Sequence, residues 1–86
     1  MMEKRVALIG IVVENFDSVE NLNAILHDYS GIIIGRFGLP YKERNISIMS
    51  IAVDGTNDEI STLSGKIGSL TGVTSKTIYA KMPEGE

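Results

Sequence analysis

A two-layer α+β sandwich of order β-α-β-β-α-β is what this sequence predicts, and three observations predict it. Four runs rich in Val, Ile and Thr, at residues 4–14, 32–39, 46–53 and 73–82, alternate with two stretches of helical period at 16–31 and 54–72. Each helical stretch opens on a capping pattern and closes on a glycine. Charge is missing from the first and third strand interiors, whereas the second carries Arg36 and the fourth Lys76 and Lys81. Charged strands belong at sheet edges, where they discourage pairing with other chains. The order and the charges together give the ferredoxin-like βαββαβ arrangement: a four-stranded antiparallel sheet, first and third strands central, two helices on one face.

The elements follow in turn. "KRVALIGIVVE" (4–14) reads as a buried strand. "FDSVENLNAILHDYSG" (16–31) places Val19, Leu22, Ile25, Leu26 and Tyr29 on one helical stripe. Asp17 with Glu20 makes its capping pair, and Gly31 fits the left-handed position after its last turn. "IIIGRFGL" (32–39) is a strand that Pro40 stops, and 41–45 is a polar connection. "ISIMSIAV" (46–53) is the third strand. After turn residues, Thr56 and Glu59 form a second capping box, ahead of the stripe Ile60, Leu63, Ile67 and Leu70 that Gly72 closes. Strand 73–82 and a polar tail at 83–86 complete one domain spanning 1–86, with its core at about 4–82.

Two helices cover only one side of such a sheet, so the other side should alternate to polar. It does not. The first strand sets Val6, Leu8 and Val12 on one face and Ala7, Ile9, Ile11 and Val13 on the other. The third sets Ile46 and Ile48 against Met49, Ile51 and Val53. A domain of this size buries only about 60% of its unfolded surface, and small domains are commonly stapled by disulfides, metal or partner subunits. With no cysteine in the chain, a homo-oligomer, dimer or tetramer, is the expected staple.

Composition and spacing narrow the function classes. The net charge of −3 argues against direct binding of nucleic acid. No stretch reaches the roughly 20 apolar residues of a membrane helix, and 6–13 runs into the acidic "ENFD" rather than a cleavage site, so a cytoplasmic location is expected. The single His27 and the absence of cysteine leave no metal site and no catalytic nucleophile, and no cofactor is expected. Glu14, Asp17, Asp54, Asp58 and Glu59 read as caps and solubilising charges. The first loop lacks the glycines and arginine of a phosphate-cradling acylphosphatase loop, and the central strands lack the aromatics of RNA-binding sheets. Ser61, Ser64, Gly65 and Gly68 line the second helix with small residues, which fits close packing.

"GRFGLPY" (35–41) admits two readings. In one, Gly35 and Gly38 serve a bulge or close backbone approach at an edge strand. In the other, Arg36 and Tyr41, with Asn15 from the first loop, form a ligand- or partner-binding site, the guanidinium fork holding a carboxylate or phosphate.

The fragments "RVALIGIVVE", "GRFGLPYKERNISIMSI" and "LSGKIGSLTGVTSKTIYAK", spread over residues 4–81, resemble a small family of iron-only (FeFe) hydrogenase system regulators. "GRFGLPY" and the "LSGKIG" stretch carry most of the resemblance. It implies an ACT-like version of the fold, similar to the C-terminal sensor domain of nickel-responsive repressors, and an oligomer. The implied function is a non-enzymatic regulatory module of the hydrogenase system that senses a small ligand or binds a protein partner. The alternative is an accessory factor or enzyme of hydrogenase cofactor assembly. "ENFDSVE" departs from the Pro-Gly turn of amino-acid-binding ACT domains. One histidine and no cysteine depart from the nickel-ligand set of the repressors.

Overall fold

The computed structural model describes residues 3–81; residue 82 and the tail 83–86, expected at the end of the last strand and beyond it, lie outside that range. The elements are β1 (Lys4–Val13), α1 (Val19–Asp28), β2 (Ile33–Tyr41), β3 (Ile46–Thr56), α2 (Asn57–Gly68) and β4 (Val73–Tyr79). They build one antiparallel sheet in the order β2-β3-β1-β4, with the two helices on one side. This is the ferredoxin-like sandwich, with the charge-free stretches 6–13 and 46–53 in the two central strands and Arg36 and Lys76 on the edges.

Register assigns the faces. β1 pairs with β3 from Lys4 opposite Thr56 to Val13 opposite Ser47, and with β4 from Ala7 opposite Tyr79 to Val13 opposite Val73. Side chains alternate along a strand, so Ala7, Ile9, Ile11 and Val13 share a face with Ile51 and Val53. All six are buried, together with Val73. Leu22 and Leu26 of α1 and Ile60, Leu63 and Ile67 of α2 close over them. β2 contributes no fully buried residue.

α2 starts as the capping box requires. Thr56 Oγ1 accepts the Glu59 amide at 3.1 Å and Glu59 Oε1 accepts the Thr56 amide at 2.8 Å. The helix is stitched to β4 by hydroxyls rather than by methyls. Thr77 Oγ1 donates to Ser64 Oγ at 3.0 Å, the two serine hydroxyls Ser64 and Ser75 lie 3.3 Å apart, and Ser75 Oγ donates to the Ser64 carbonyl at 3.0 Å. Gly68 keeps this seam close, since a Cβ there would lie 3.2 Å from Ser75 Oγ. Gly72 does not close α2, which ends at Gly68; it takes a left-handed φ of +70° in the turn into β4, and a Cβ on it would fall 2.5 Å from the Asn15 Cβ. That contact joins the start of β4 to the loop after β1, where the Glu14 amide donates to the Gly72 carbonyl at 2.7 Å.

Four local expectations are corrected. The Asp17–Glu20 capping box does not form. Asn15 Oδ1 takes the Asp17 amide at 2.9 Å and starts a 3-10 turn over Phe16–Ser18. α1 then begins at Val19, and the Ser18 hydroxyl donates to the Thr71 carbonyl at 2.6 Å instead of capping. Gly31 is not left-handed, because successive i to i+3 turns (Ser30 amide to His27 carbonyl, Ile32 to Tyr29, Ile33 to Ser30) lead the chain off α1. Pro40 does not stop β2, which runs on to Tyr41 with Pro40 opposite Ser47. An edge strand tolerates the missing N–H. Finally, β4 ends at Tyr79, so Lys81 lies past the strand rather than in it.

Candidate functional site

Two surfaces stand out, on opposite sides of the sheet. The first is the face the helices leave bare. The register puts Val6, Leu8, Gly10 and Val12 of β1 there, with Ile46, Ile48, Ser50, Ala52 and Asp54 of β3. β2 adds Gly35, Phe37, Leu39 and Tyr41, and β4 adds Thr74, Lys76 and Ile78. Ile78 is 68% exposed, Phe37 59% and Leu8 44%. Gly10, Ser50, Ala52 and Gly35 make a shallow middle, with bulky residues on either side. One flank, lined by Val6, Leu8, Ala52 and Ile78, is an almost wholly apolar groove of about 310 Å³. The charges on this face, Lys4, Asp54 and Lys76, sit toward one end and an edge.

The second surface is a groove of about 360 Å³ between α1 and the edge strand β2, lined by Asn23, Leu26, His27, Ser30, Ile33 and Arg36. Leu26 is buried and Ile33 half-buried, so the floor is apolar. Asn23 and His27 stand at i and i+4 on the flank of α1 that faces β2, and Ser30 follows in the turn after the helix. Arg36 stands across from them, opposite Ile51 and therefore on the helix side of the sheet. Its Nη2 donates to Asn23 Oδ1 across 3.4 Å, a long bond, and among the described residues it meets no carboxylate.

The structure thus sets the three sequence candidates in three environments. Arg36 lines the α1–β2 groove. Tyr41 lies opposite Ile46 on the bare face, 39% exposed, with the thickness of the sheet between it and Arg36. Asn15 is a cap, its amide oxygen committed to the Asp17 N–H and its Cβ packed beside Gly72. The residues grouped with Arg36 are instead Asn23, His27 and Ser30. The i to i+4 spacing of Asn23 and His27 is the one signal the sequence holds for this grouping. The bulge expected in "GRFGLPY" occurs between Ile33 and Gly35, but no atom lies within 4 Å of where a Cβ on Gly35 or Gly38 would be.

A third, polar hollow of about 320 Å³ lies beside the start of α2, between Glu3, Arg5, Thr56, Asn57 and Asp58. The capping box already takes amides there, and Arg5 stacks on Tyr79, 4.3 Å from its ring centre. Among the described residues no three His, Cys, Asp or Glu side chains gather to hold a metal ion, and no helix is long and apolar enough to cross a membrane.

Comparison with known proteins gives a family and a fold. The family model described as "TM1266-like: Iron-only hydrogenase system regulator, putative" matches residues 5–77. The structure of uncharacterized protein TM1266 from Thermotoga maritima superposes with a TM-score of 0.88 at 38% identity, over 92% of this chain and 100% of that one. The divalent ion tolerance protein CutA1 from Ehrlichia chaffeensis gives a TM-score of 0.47 at 18% identity, over 99% of this chain and 88% of that one. No protein of curated function matches the chain.

Proposed function

The chain belongs to the TM1266-like family of iron-only hydrogenase system regulators, and from that premise we propose that it is a non-enzymatic regulatory module that works as an oligomer and responds to a small effector. The observation that carries the reading is the bare apolar face. Four strands about 4.8 Å apart and ten residues of about 3.3 Å rise make a face of roughly 600 Å². A face of that size stands at the upper end of the roughly 300–600 Å² largest patch of a monomer, whereas two such faces together bury about 1,200 Å², the lower bound of stable interfaces. The occupant is a second copy of this chain, because a two-fold axis sets the bulky flanks of one sheet against the shallow middle of the other.

In this reading Tyr41 works in the subunit contact. Arg36, on the far side of the sheet, stays open to solvent in the dimer and receives the effector. Asn15 holds the corner that keeps β1 and β4 in register. The ACT-like sensor domain of nickel-responsive repressors is the functional parallel, without its nickel chemistry. Regulation passes through a protein partner of the hydrogenase system rather than through DNA. Light scattering on the purified chain tests the reading: a dimer or tetramer mass at micromolar concentration is expected, and a monomer mass overturns it.

A further inference from the structure

We propose that the groove between α1 and β2 binds a small aliphatic monocarboxylate, its carboxylate held by Arg36 and its alkyl body laid over Ile33. This deepens the effector reading of Arg36 and does not depend on the dimer. The first argument is the state of the guanidinium. Among the described residues it is the one Lys or Arg lining this groove of about 360 Å³, and the side-chain hydrogen bond it makes is the 3.4 Å one to Asn23. A planar fork so weakly engaged is free to take a carboxylate in two parallel bonds. Asn23 can turn its amide to donate to the same anion, and the Ser30 hydroxyl and His27 ring add polar contacts along the rim.

The second argument is the floor. Ile33, half-buried, offers apolar surface above the buried Leu26 that an inorganic anion would leave unused. A short alkyl chain covers it and gains from leaving water. The third argument limits the charge. His27 and Ser30 lie at the C-terminal end of α1, where the helix dipole is negative. Asp28, beside His27, adds negative charge at that end. A single carboxylate therefore sits at the Asn23–Arg36 end, and a second negative group reaching toward His27 is repelled. Chain length, single charge and orientation together define the class.

Titration calorimetry of the full chain with butyrate, acetate, succinate and inorganic phosphate, at one ionic strength, tests this. Butyrate should bind saturably at one site per chain, more tightly than acetate, succinate or phosphate. Arg36→Ala, whose fold circular dichroism would verify, should weaken butyrate at least about tenfold, the loss expected for a charge-assisted pair. Absence of saturable butyrate binding overturns the proposal. So does succinate or phosphate binding as tightly as butyrate, or an Arg36→Ala protein that binds butyrate as the parent does. Light scattering on the same samples reports assembly separately. A dimer that binds no carboxylate refutes this site and leaves the regulatory oligomer standing.

Discussion

Leu8→Lys separates what β1 does for the fold from what it does for assembly. Leu8 lies on the bare face, paired with Ala52 and Ile78, and is 44% exposed in the protomer. Fully burying a leucine is worth about 1.5–3 kcal/mol, so the exposed fraction is worth about 1 kcal/mol when a second copy covers it. Two-fold symmetry counts it twice, giving about 2 kcal/mol per dimer. Two lysines brought into the contact add desolvation and mutual repulsion of a few kcal/mol. A total of about 4 kcal/mol raises the dimer dissociation constant roughly a thousandfold. The protomer loses little, because the lysine stem can lie along the sheet with its ammonium in water. Sedimentation over a hundredfold range of concentration, with far-ultraviolet circular dichroism, gives the answer. The variant should be a folded monomer where the parent is a dimer, with a melting temperature lowered through lost assembly. Ile9→Asp, one residue on and fully buried, should fail to fold at all. Equal assembly masses for parent and Leu8→Lys at every concentration would refute the reasoning.

Three further outcomes are expected. Gly72→Ala forces a Cβ into a left-handed backbone at φ +70° and to within 2.5 Å of the Asn15 Cβ, so denaturant titration should show a loss of about 2–4 kcal/mol; a loss below about 0.5 kcal/mol would be inconsistent with that contact. Thr56→Ala removes half of the α2 capping box and should lower stability by about 1–2 kcal/mol, read as a melting temperature about 5–10 °C lower. Gel-shift titration should show no sequence-specific DNA complex at nanomolar protein and physiological salt, as the net charge of −3 implies.

The sheet was legible in the sequence because its signals are local and agree. β-branched runs mark the strands, Arg36 and Lys76 mark the edges, and the Thr56–Glu59 pair marks the start of α2. The bare apolar face was legible too, since alternation in β1 survives folding unchanged. What was not legible depends on competition or on distance. Asn15 outcompetes Asp17 for the first cap because its side chain reaches the Asp17 amide and starts a 3-10 turn. Whether Pro40 ends a strand depends on whether that strand has a neighbour on each side, which residues 32–41 alone do not state. The company of Arg36 is a tertiary matter: Asn23 is 13 residues away, brought near only when α1 packs against the sheet. Tyr41 seemed adjacent to Arg36 in sequence, but an odd separation of five places the two on opposite faces of one strand.

The doubly apolar character of β1 has a consequence for how the chain finds its fold. In most half-buried strands a slip of one residue turns polar groups inward and is rejected at once. Here such a slip would exchange Ala7, Ile9, Ile11 and Val13 for Val6, Leu8, Gly10 and Val12, with only Gly10 to penalise it. The first strand therefore does not itself encode which way it faces. That instruction comes from its neighbour β4, where Ser75 and Thr77 must reach Ser64 while Ile78 turns away. Three hydroxyls thus act as a proofreading device for the central strand. Their removal should show first in refolding, as slow and misregistered species, before it shows in the equilibrium stability of the finished protein.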